Sequence, residues 1–179
     1  MNKFQLRKKI SKIRSKFARK KIKVNSEAII KLIERKSPNK KVGLYYPFGD
    51  ELSTLELMNR LIRKKFIISL PIINKSDMSF YSWSPNEPLT INRFGILEPF
   101  KGKKITPSTL IIPMLAFDSN LNRLGYGGGF YDRFIQKIEK QNNCVKIGLA
   151  LSCQKINKVP VDKYDKKMDF IITEKRIYK

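Results

Sequence analysis

The sequence predicts an α/β fold: a single three-layer domain in which helices lie on both faces of a mostly parallel central sheet. Helical and apolar extended segments alternate along the chain, and one strand–helix–strand unit is typical of a parallel sheet. Of the 179 residues, 41% are hydrophobic, which is enough to form one core. Because neither a repeat nor a linker divides the sequence, residues 1–179 are expected to form one domain.

Two helices are predicted before the first strand. Between residues 3 and 18, one apolar stripe recurs at spacings of three and four residues, and Lys and Arg occupy the remaining positions. The stripe consists of Leu6, Ile10, Ile13 and Phe17. A second helix is expected to begin at Ser26, with Glu27 in its first turn.

The next segment predicts the strand–helix–strand unit. Val42–Tyr46 is a short apolar strand that ends before Pro47. Thr54–Lys64 has the apolar spacing of a helix, and Phe66–Leu70 is apolar again. A further strand is expected over Ser79–Trp83.

The second half of the chain begins with a proline-rich segment. Residues 84–107 contain four prolines and are expected to form a loop with little regular structure. Leu110–Met114 is entirely apolar and predicts a central strand. A helix over Phe130–Glu139 and strands over Val145–Leu151 and Phe170–Thr173 complete the predicted order.

The charge of the chain favours anionic partners. With 38 basic and 15 acidic residues the formal net charge is +23, so nucleic acid, an acidic membrane or phosphorylated small molecules all fit. The lysines are spread along the whole chain without a basic tail, which is typical of ordinary solvated surfaces. Both interpretations stay open at this point.

Histidine is absent, and this excludes several chemistries. Ser–His–Asp and Cys–His mechanisms lack their base, and His-ligated zinc is excluded as well. The two cysteines form no CxxC motif, so any metal is expected to have oxygen ligands, which favours magnesium. The N-terminal segment lacks the apolar core of a signal peptide, and no apolar run is long enough to span a bilayer. A cytoplasmic protein with no membrane partner is expected.

A glycine-rich run, RLGYGGGFYDR, is the strongest functional signal. Four of the nine glycines lie between Gly125 and Gly129, after the central strand and before a predicted helix. Glycine permits close approach of the backbone to a ligand, and N–H groups at a helix start favour an anion. Arg123 and Arg133 flank the run with positive charge. A phosphate-binding loop is predicted, and the alternative is a turn without a ligand.

The run matches neither common nucleotide motif. The GxGxxG pattern fails at Phe130, and no Gly-Lys-Ser/Thr follows as in a P-loop. The pattern therefore indicates phosphate without a particular nucleotide. Asp132 falls in the first turn of the predicted helix, where it could hold magnesium or simply complement the helix dipole.

The wider context resembles a known family. The segment LIIPMLAFDSNLNRLGYGGGFYDRF, residues Leu110–Phe134, is similar to the signature of the 5-formyltetrahydrofolate cyclo-ligases, also called 5,10-methenyltetrahydrofolate synthetases. Shorter matches agree in order and spacing: Lys3–Arg7, Tyr46–Glu51, Phe94–Pro99, and Pro160–Asp162 with Asp165. The departures are Phe130 in place of the usual tyrosine, Phe94 where some relatives have tryptophan, and Leu97 where proline is common.

The resemblance implies a reaction and two cofactors. Members of this family convert 5-formyltetrahydrofolate to 5,10-methenyltetrahydrofolate with ATP and Mg²⁺, and release ADP and phosphate. The formyl oxygen attacks the γ-phosphate, N10 closes on the activated carbon, and phosphate leaves. Such phosphoryl transfer needs positioning and charge stabilisation more than a protein nucleophile, which suits a chain without histidine. A monomer acting on a small anionic folate, with one or more glutamates in its tail, is the expectation.

The resemblance also implies site residues. Arg123 and Tyr126 would be catalytic, and Asp132 and Asp165 would hold magnesium. The ATP-binding residues would be Lys3, Phe4, Gln5, Leu6, Arg7, Arg123, Leu124, Gly125, Tyr126, Gly127, Gly128, Gly129, Phe130 and Tyr131. The folate-binding residues would be Tyr46, Glu51, Phe94, Tyr126, Gly127, Gly128, Gly129 and Phe130, with Met78 as a weaker candidate.

Simpler interpretations stand beside these. Lys3 and Arg7 could lie on a solvated helix face, Glu51 could be an acid at a helix start, and Tyr46 could be plain core. For the whole chain, the alternatives are a basic nucleic-acid-binding module and a relative of the family that acts on another acyl or formyl substrate.

Overall fold

The computed structural model describes residues 2–18, 22–37, 39–140 and 143–179. Four α-helices and one short 3-10 helix (Ser152–Gln154) are present in this part of the chain, and twelve strands accompany them. The α-helices are α1 (Lys3–Ala18), α2 (Ser26–Lys36), α3 (Leu55–Arg63) and α4 (Phe130–Glu139). The strands are β1 (Lys41–Gly43), β2 (Ile67–Asn74), β3 (Asp77–Ser82), β4 (Leu89–Ile91), β5 (Leu97–Pro99), β6 (Lys104–Ile105), β7 (Thr109–Pro113), β8 (Ala116–Phe117), β9 (Arg123–Leu124), β10 (Val145–Leu149), β11 (Phe170–Ile172) and β12 (Ile177–Tyr178).

Eight strands form one sheet in the order β12-β11-β10-β7-β1-β2-β3-β6. The five strands from β11 to β2 are parallel to one another, and antiparallel pairs lie at both edges. The predicted strand–helix–strand unit is β1-α3-β2, and β7 lies centrally as expected. The mostly parallel α/β fold predicted from the sequence is therefore confirmed.

Helices cover the two faces of the sheet. Ile111 packs in the core cluster that includes residues of α2 and α3, whereas its neighbours Leu110 and Ile112 pack in the cluster that includes α4. Successive side chains of a strand point to opposite faces, so a fully apolar β7 is explained by burial on both sides. Helix α1 contributes Leu6 and Ile10 to a third, smaller cluster.

Residues 84–107 differ from the sequence prediction. Expected to hold little regular structure, they form a hairpin of β4 and β5 and the edge strand β6. The Asn92 side chain closes the hairpin by accepting hydrogen bonds from the backbone N–H groups of Phe94 and Ile96, and Gly95 has a positive φ of 77°. Proline has no backbone N–H to donate to a neighbouring strand. Pro99 fits in β5 because this strand pairs with β4 alone in a two-stranded sheet, so no second partner strand needs that donor.

Several other bounds also differ. β1 ends at Gly43 rather than Tyr46, and β2 continues to Asn74. Strands β8, β9 and β12 were missed, since two residues are too few to show an alternating pattern. No helix within the described residues is long and apolar enough to cross a bilayer.

Phe80 links the sheet to the helix that follows the glycine run. Its side chain is fully buried, and its ring centroid lies 4.9 Å from that of Phe134 in α4. We expect Phe80→Ala to lower the free energy of unfolding by about 3–5 kcal/mol, because the lost contacts leave a cavity. Urea denaturation followed by circular dichroism measures this.

Phe100 is the matched control for this substitution. Its side chain is 61% exposed, so Phe100→Ala is expected to change stability by less than about 0.5 kcal/mol. Equal losses for both variants would contradict the packing role assigned to Phe80.

Candidate functional site

A cavity of about 630 Å³ opens at the carboxyl ends of β1 and β7. From β1 the chain crosses to β2 on one side, and from β7 it continues to β10 on the other. Neighbouring strands whose connections diverge in this way leave a crevice, and ligands of open α/β sheets bind there. Tyr45 and Tyr46, after β1, and Pro113, at the end of β7, line the cavity.

Helix α1 presents three basic residues to this cavity. Lys3, Arg7 and Arg14 lie within about 40° of one another around the helix axis, given 3.6 residues per turn. Lys3 Nζ is 2.7 Å from an oxygen of Asp162 and 2.7 Å from one of Asp165. Arg7 Nε donates to the carbonyl of Gly125 over 2.9 Å. Lys3 and Arg7 thus line the cavity rather than a plain solvated face.

The other residues of the predicted ATP segment on α1 lie elsewhere. Phe4 is largely exposed, and Leu6 is buried in the small core cluster. Gln5 exchanges hydrogen bonds with Asn2 at the start of the helix. The structure brings none of these three side chains to the cavity, and their assignment to ATP stays a prediction.

The glycine run forms one wall of the cavity and leads into α4. Gly127 and Gly129 have positive φ angles of 109° and 64°, which glycine adopts at little cost. A Cβ atom on Gly127 would lie 3.3 Å from the Arg7 guanidinium. Gly129 is the N-cap of α4, so the run ends where helix N–H groups favour an anion.

Arg133 holds the glycine run in place instead of facing the cavity. Its guanidinium donates to the carbonyl of Gly128 over 2.9 Å and to that of Ser76, in the β2–β3 turn, over 2.8 Å. From its position in the sequence, Arg133 is expected to flank the run with positive charge for phosphate. Its donors are instead used on backbone carbonyls.

Arg123 and Asp132 form a buried ion pair of 2.8 Å. Asp132 also accepts the backbone N–H of Lys166 over 2.9 Å. Arg123 lies in strand β9, and its Nε has no hydrogen-bond partner among the described residues. Leu124, the next residue, is buried in the core. The predicted phosphate ligand and the predicted magnesium ligand are thus paired with each other.

Asp165, the second predicted magnesium ligand, is paired as well. Its carboxylate accepts hydrogen bonds from Lys3 Nζ and from the backbone N–H of Asp162, the latter over 2.8 Å. Burial acts to raise its pKa, but the bonds from Lys3 and Asp162 outweigh it, so the pKa lies below the usual value. No cluster of three or more metal-binding acids or cysteines occurs within the described ranges.

The predicted folate residues converge on the same cavity. Tyr46, Glu51, Met78, Phe94 and Phe130 line it together with the glycines. The rings of Phe94 and Phe130 meet edge to face, with centroids 5.9 Å apart.

Glu51 does not cap a helix. Its Oε2 accepts the backbone N–H of Phe48 over 3.0 Å, and the N-cap of α3 is Thr54. Burial raises the pKa of Glu51 above its ordinary value. Tyr131 lies beside the cavity with a buried hydroxyl that has no partner among the described residues.

Arg14 is a cavity residue that the sequence analysis missed. It is only 6% exposed, and its NH1 atom donates to the hydroxyl of Tyr126 over 2.6 Å. In the sequence, the apolar stripe of α1 predicts that every Lys and Arg of this helix faces solvent. The shared helical face of residues 3, 7 and 14 was the signal that could have identified it.

The site therefore combines a glycine-rich loop at a helix N-terminus with a partly buried carboxylate, at a crevice of a mostly parallel sheet. Residues 1–174 match the model of the 5-formyltetrahydrofolate cyclo-ligase family. The 5-formyltetrahydrofolate cyclo-ligase of Haemophilus influenzae is 34% identical over 144 residues, which cover 76% of each chain. The Escherichia coli K12 protein of the same name is 31% identical over 76% of this chain and 79% of that one.

Solved structures agree with this match. The NMR structure of Aquifex aeolicus 5,10-methenyltetrahydrofolate synthetase has a TM-score of 0.72 and 30% identity, and covers 99% of this chain and 92% of that chain. A 5,10-methenyltetrahydrofolate synthetase from Mycoplasma pneumoniae has the same fold, with a TM-score of 0.73 at 22% identity, over 97% and 99% of the two chains. The chain belongs to the 5-formyltetrahydrofolate cyclo-ligase family, which confirms the resemblance seen in the sequence.

The Arg123–Asp132 pair should stabilise the fold as well as the site. Asp132→Asn leaves the Arg123 guanidinium buried without its counter-charge, and we expect a loss of about 3 kcal/mol in the free energy of unfolding. Asp77→Asn breaks the exposed pair with Lys137, at 3.6 Å, and should cost about 1 kcal/mol or less. Urea titrations of both variants measure these free energies of unfolding. A loss for Asp132→Asn as small as that for Asp77→Asn would contradict the stabilising role of the Arg123–Asp132 pair.

Proposed function

We propose that this protein converts 5-formyltetrahydrofolate to 5,10-methenyltetrahydrofolate in a reaction that consumes ATP, requires Mg²⁺ and releases ADP and phosphate. One observation carries the proposal: a single cavity brings the glycine run and the Arg7 side chain together with Glu51 and the Phe94–Phe130 pair. An anion-binding wall and an aromatic wall with a carboxylate suit a nucleotide and a pterin side by side. Family membership supports the same activity.

The phosphates of ATP would lie against the glycine run. Backbone N–H groups at the start of α4 and the guanidinium of Arg7 supply donors to phosphate oxygens. Arg7 contacts the run through the carbonyl of Gly125, so the cation and the loop are already oriented together. Preorganised donors of this kind stabilise charge that develops in a transition state.

The pterin would lie between Glu51 and the aromatic side chains. A carboxylate can accept two N–H groups from a planar donor edge, and the rings of Phe94 and Phe130 offer faces for packing. This arrangement would hold the formyl group toward the γ-phosphate. The formyl oxygen would then attack the γ-phosphorus and displace ADP. N10 would close on the activated carbon and lose its proton, and phosphate would leave from that carbon.

Magnesium suits the oxygen donors that the cavity offers. Asp132 and Asp165 would hold it, and it would neutralise charge on the β- and γ-phosphate oxygens. Both carboxylates are now paired, with Arg123 and Lys3. Lys3 and Arg123 would therefore have to exchange their carboxylates for phosphate oxygens when the metal and the nucleotide enter.

A turnover assay tests the proposed function. Purified protein with Mg-ATP and (6S)-5-formyltetrahydrofolate should release ADP in step with the appearance of methenyltetrahydrofolate, followed by its near-ultraviolet absorbance. ADP release that does not depend on the folate, or no turnover at all, would overturn the proposal. Replacing the folate by other formyl compounds tests a relative with a different substrate.

Arg7 offers a sharper test of the phosphate site than Arg123, whose loss would also break a buried pair. We expect Arg7→Met to lower kcat/KM for ATP about 100-fold, because a preorganised donor to phosphate is removed. Lys9→Met removes the same charge from an exposed position on α1 and should leave kcat/KM within about twofold. Steady-state kinetics at fixed salt compare them; an active Arg7→Met enzyme would remove this residue from the phosphate site.

A further inference from the structure

Arg14 is a buried cation whose hydrogen-bonding capacity is only partly used. Its NH1 atom donates to the Tyr126 hydroxyl, while its Nε is buried and has no partner among the described residues. The guanidinium also lies over the Tyr126 ring, 5.5 Å from the centroid. Burying a charge is costly unless nearby groups compensate, so this position needs an electrostatic explanation.

The Tyr126 hydroxyl connects Arg14 to Glu51. A phenol has one proton to donate and lone pairs to accept. Because the oxygen of Tyr126 accepts from Arg14, its proton is available for a carboxylate. The carboxylate of Glu51 lines the same cavity, and its interaction with this hydroxyl favours the ionised form. Tyr126, in the glycine run, thus lies between Arg14 in α1 and Glu51 in the loop after β1.

We propose that Arg14 is a positioning residue: acting through the hydroxyl of Tyr126, it keeps the carboxylate of Glu51 charged and oriented in the cavity. A carboxylate that is fixed and ionised binds planar N–H donors better than one that is mobile or protonated. The consequence for folate recognition rests on the proposed function. The effect of Arg14 on Glu51 does not.

The surroundings of Glu51 explain why such support is needed. Burial raises the pKa of Glu51, and the hydrogen bonds from Tyr126 and Phe48 together with the charge of Arg14 oppose that rise. Tyr45 and Tyr131 face the same carboxylate, and burial raises the pKa of both phenols, so they stay neutral. The adjacent Asp50 accepts from the Ser15 hydroxyl. Among these groups, Arg14 supplies the opposing positive charge.

The direct test is the pKa of Glu51 in the ligand-free full chain. Glutamate labelled with ¹³C at the side-chain carboxyl is titrated by NMR, and Glu51→Gln assigns the signal. Removing an opposite charge raises the pKa of a carboxyl, so Arg14→Met should move the midpoint upward by about one pH unit. Lys12→Met, an exposed charge on the same helix, should leave it in place.

Two more variants test whether the effect passes through the hydroxyl. Tyr126→Phe should raise the pKa of Glu51 although Arg14 is present, and Arg14→Met should add little in that background. Arg14→Lys should restore most of the wild-type value, since the cation is kept. An unchanged midpoint in Arg14→Met, or equal shifts in Arg14→Met and Lys12→Met, would overturn the proposal.

Folate binding separates this proposal from the proposed function. The Kd of 5-formyltetrahydrofolate is measured by calorimetry against pH. Glu51 must be ionised to accept N–H groups, so binding weakens as the pH falls through its pKa, and Arg14→Met should show this loss at higher pH. If folate does not bind but the NMR midpoints shift as expected, the proposed function fails and the role of Arg14 stands. If folate binds with the same pH dependence in both proteins, Arg14 has no such role.

Discussion

The contacts made by α1 hold the walls of the cavity together. Its basic face pairs with Asp162 and Asp165, binds the glycine run at Gly125, and reaches Tyr126. Two apolar residues of the helix, Leu6 and Ile10, are buried in the small core cluster, and Ile13 and Phe17 pack partly buried against the core. The contacts that define the site, by contrast, are charge-assisted. Two segments distant in sequence, the glycine run and the loop at residues 162–165, therefore depend on one helix for their relative placement.

Most basic side chains at the site are already paired with acceptors of the protein itself. The chain carries +23, yet Lys3 and Arg123 are matched by carboxylates and Arg133 by backbone carbonyls. The positive electrostatic potential in the cavity is consequently weaker than the net charge of the chain suggests. A polyanion that enters would compete with internal partners, and the rearrangement would couple its binding to the loop at residues 162–165.

Long apolar segments made the centre of the fold predictable. The strand β7 and the β1-α3-β2 unit follow from hydrophobic runs and a helical period, and the glycine run stands out by composition alone. The β4–β5 hairpin was missed because it depends on the Asn92 side chain bonding to the backbone, and no local period encodes that. Arg14 was missed because its partner Tyr126 is 112 residues away. The Arg123–Asp132 pair was missed as well, because the sequence suggested a phosphate ligand at Arg123 and a magnesium ligand at Asp132.

The edges of the large sheet end in the two-residue strands β6 and β12. Lys104 lies within β6, and Lys175 and Arg176 directly precede β12. Short edges with basic residues offer a poor template for a strand from another molecule, and a high net charge of one sign adds mutual repulsion. The excess lysine that looked uninformative about chemistry is thus suited to keeping copies of this protein apart at high concentration, where an eight-stranded sheet with open, apolar edges would be prone to aggregate.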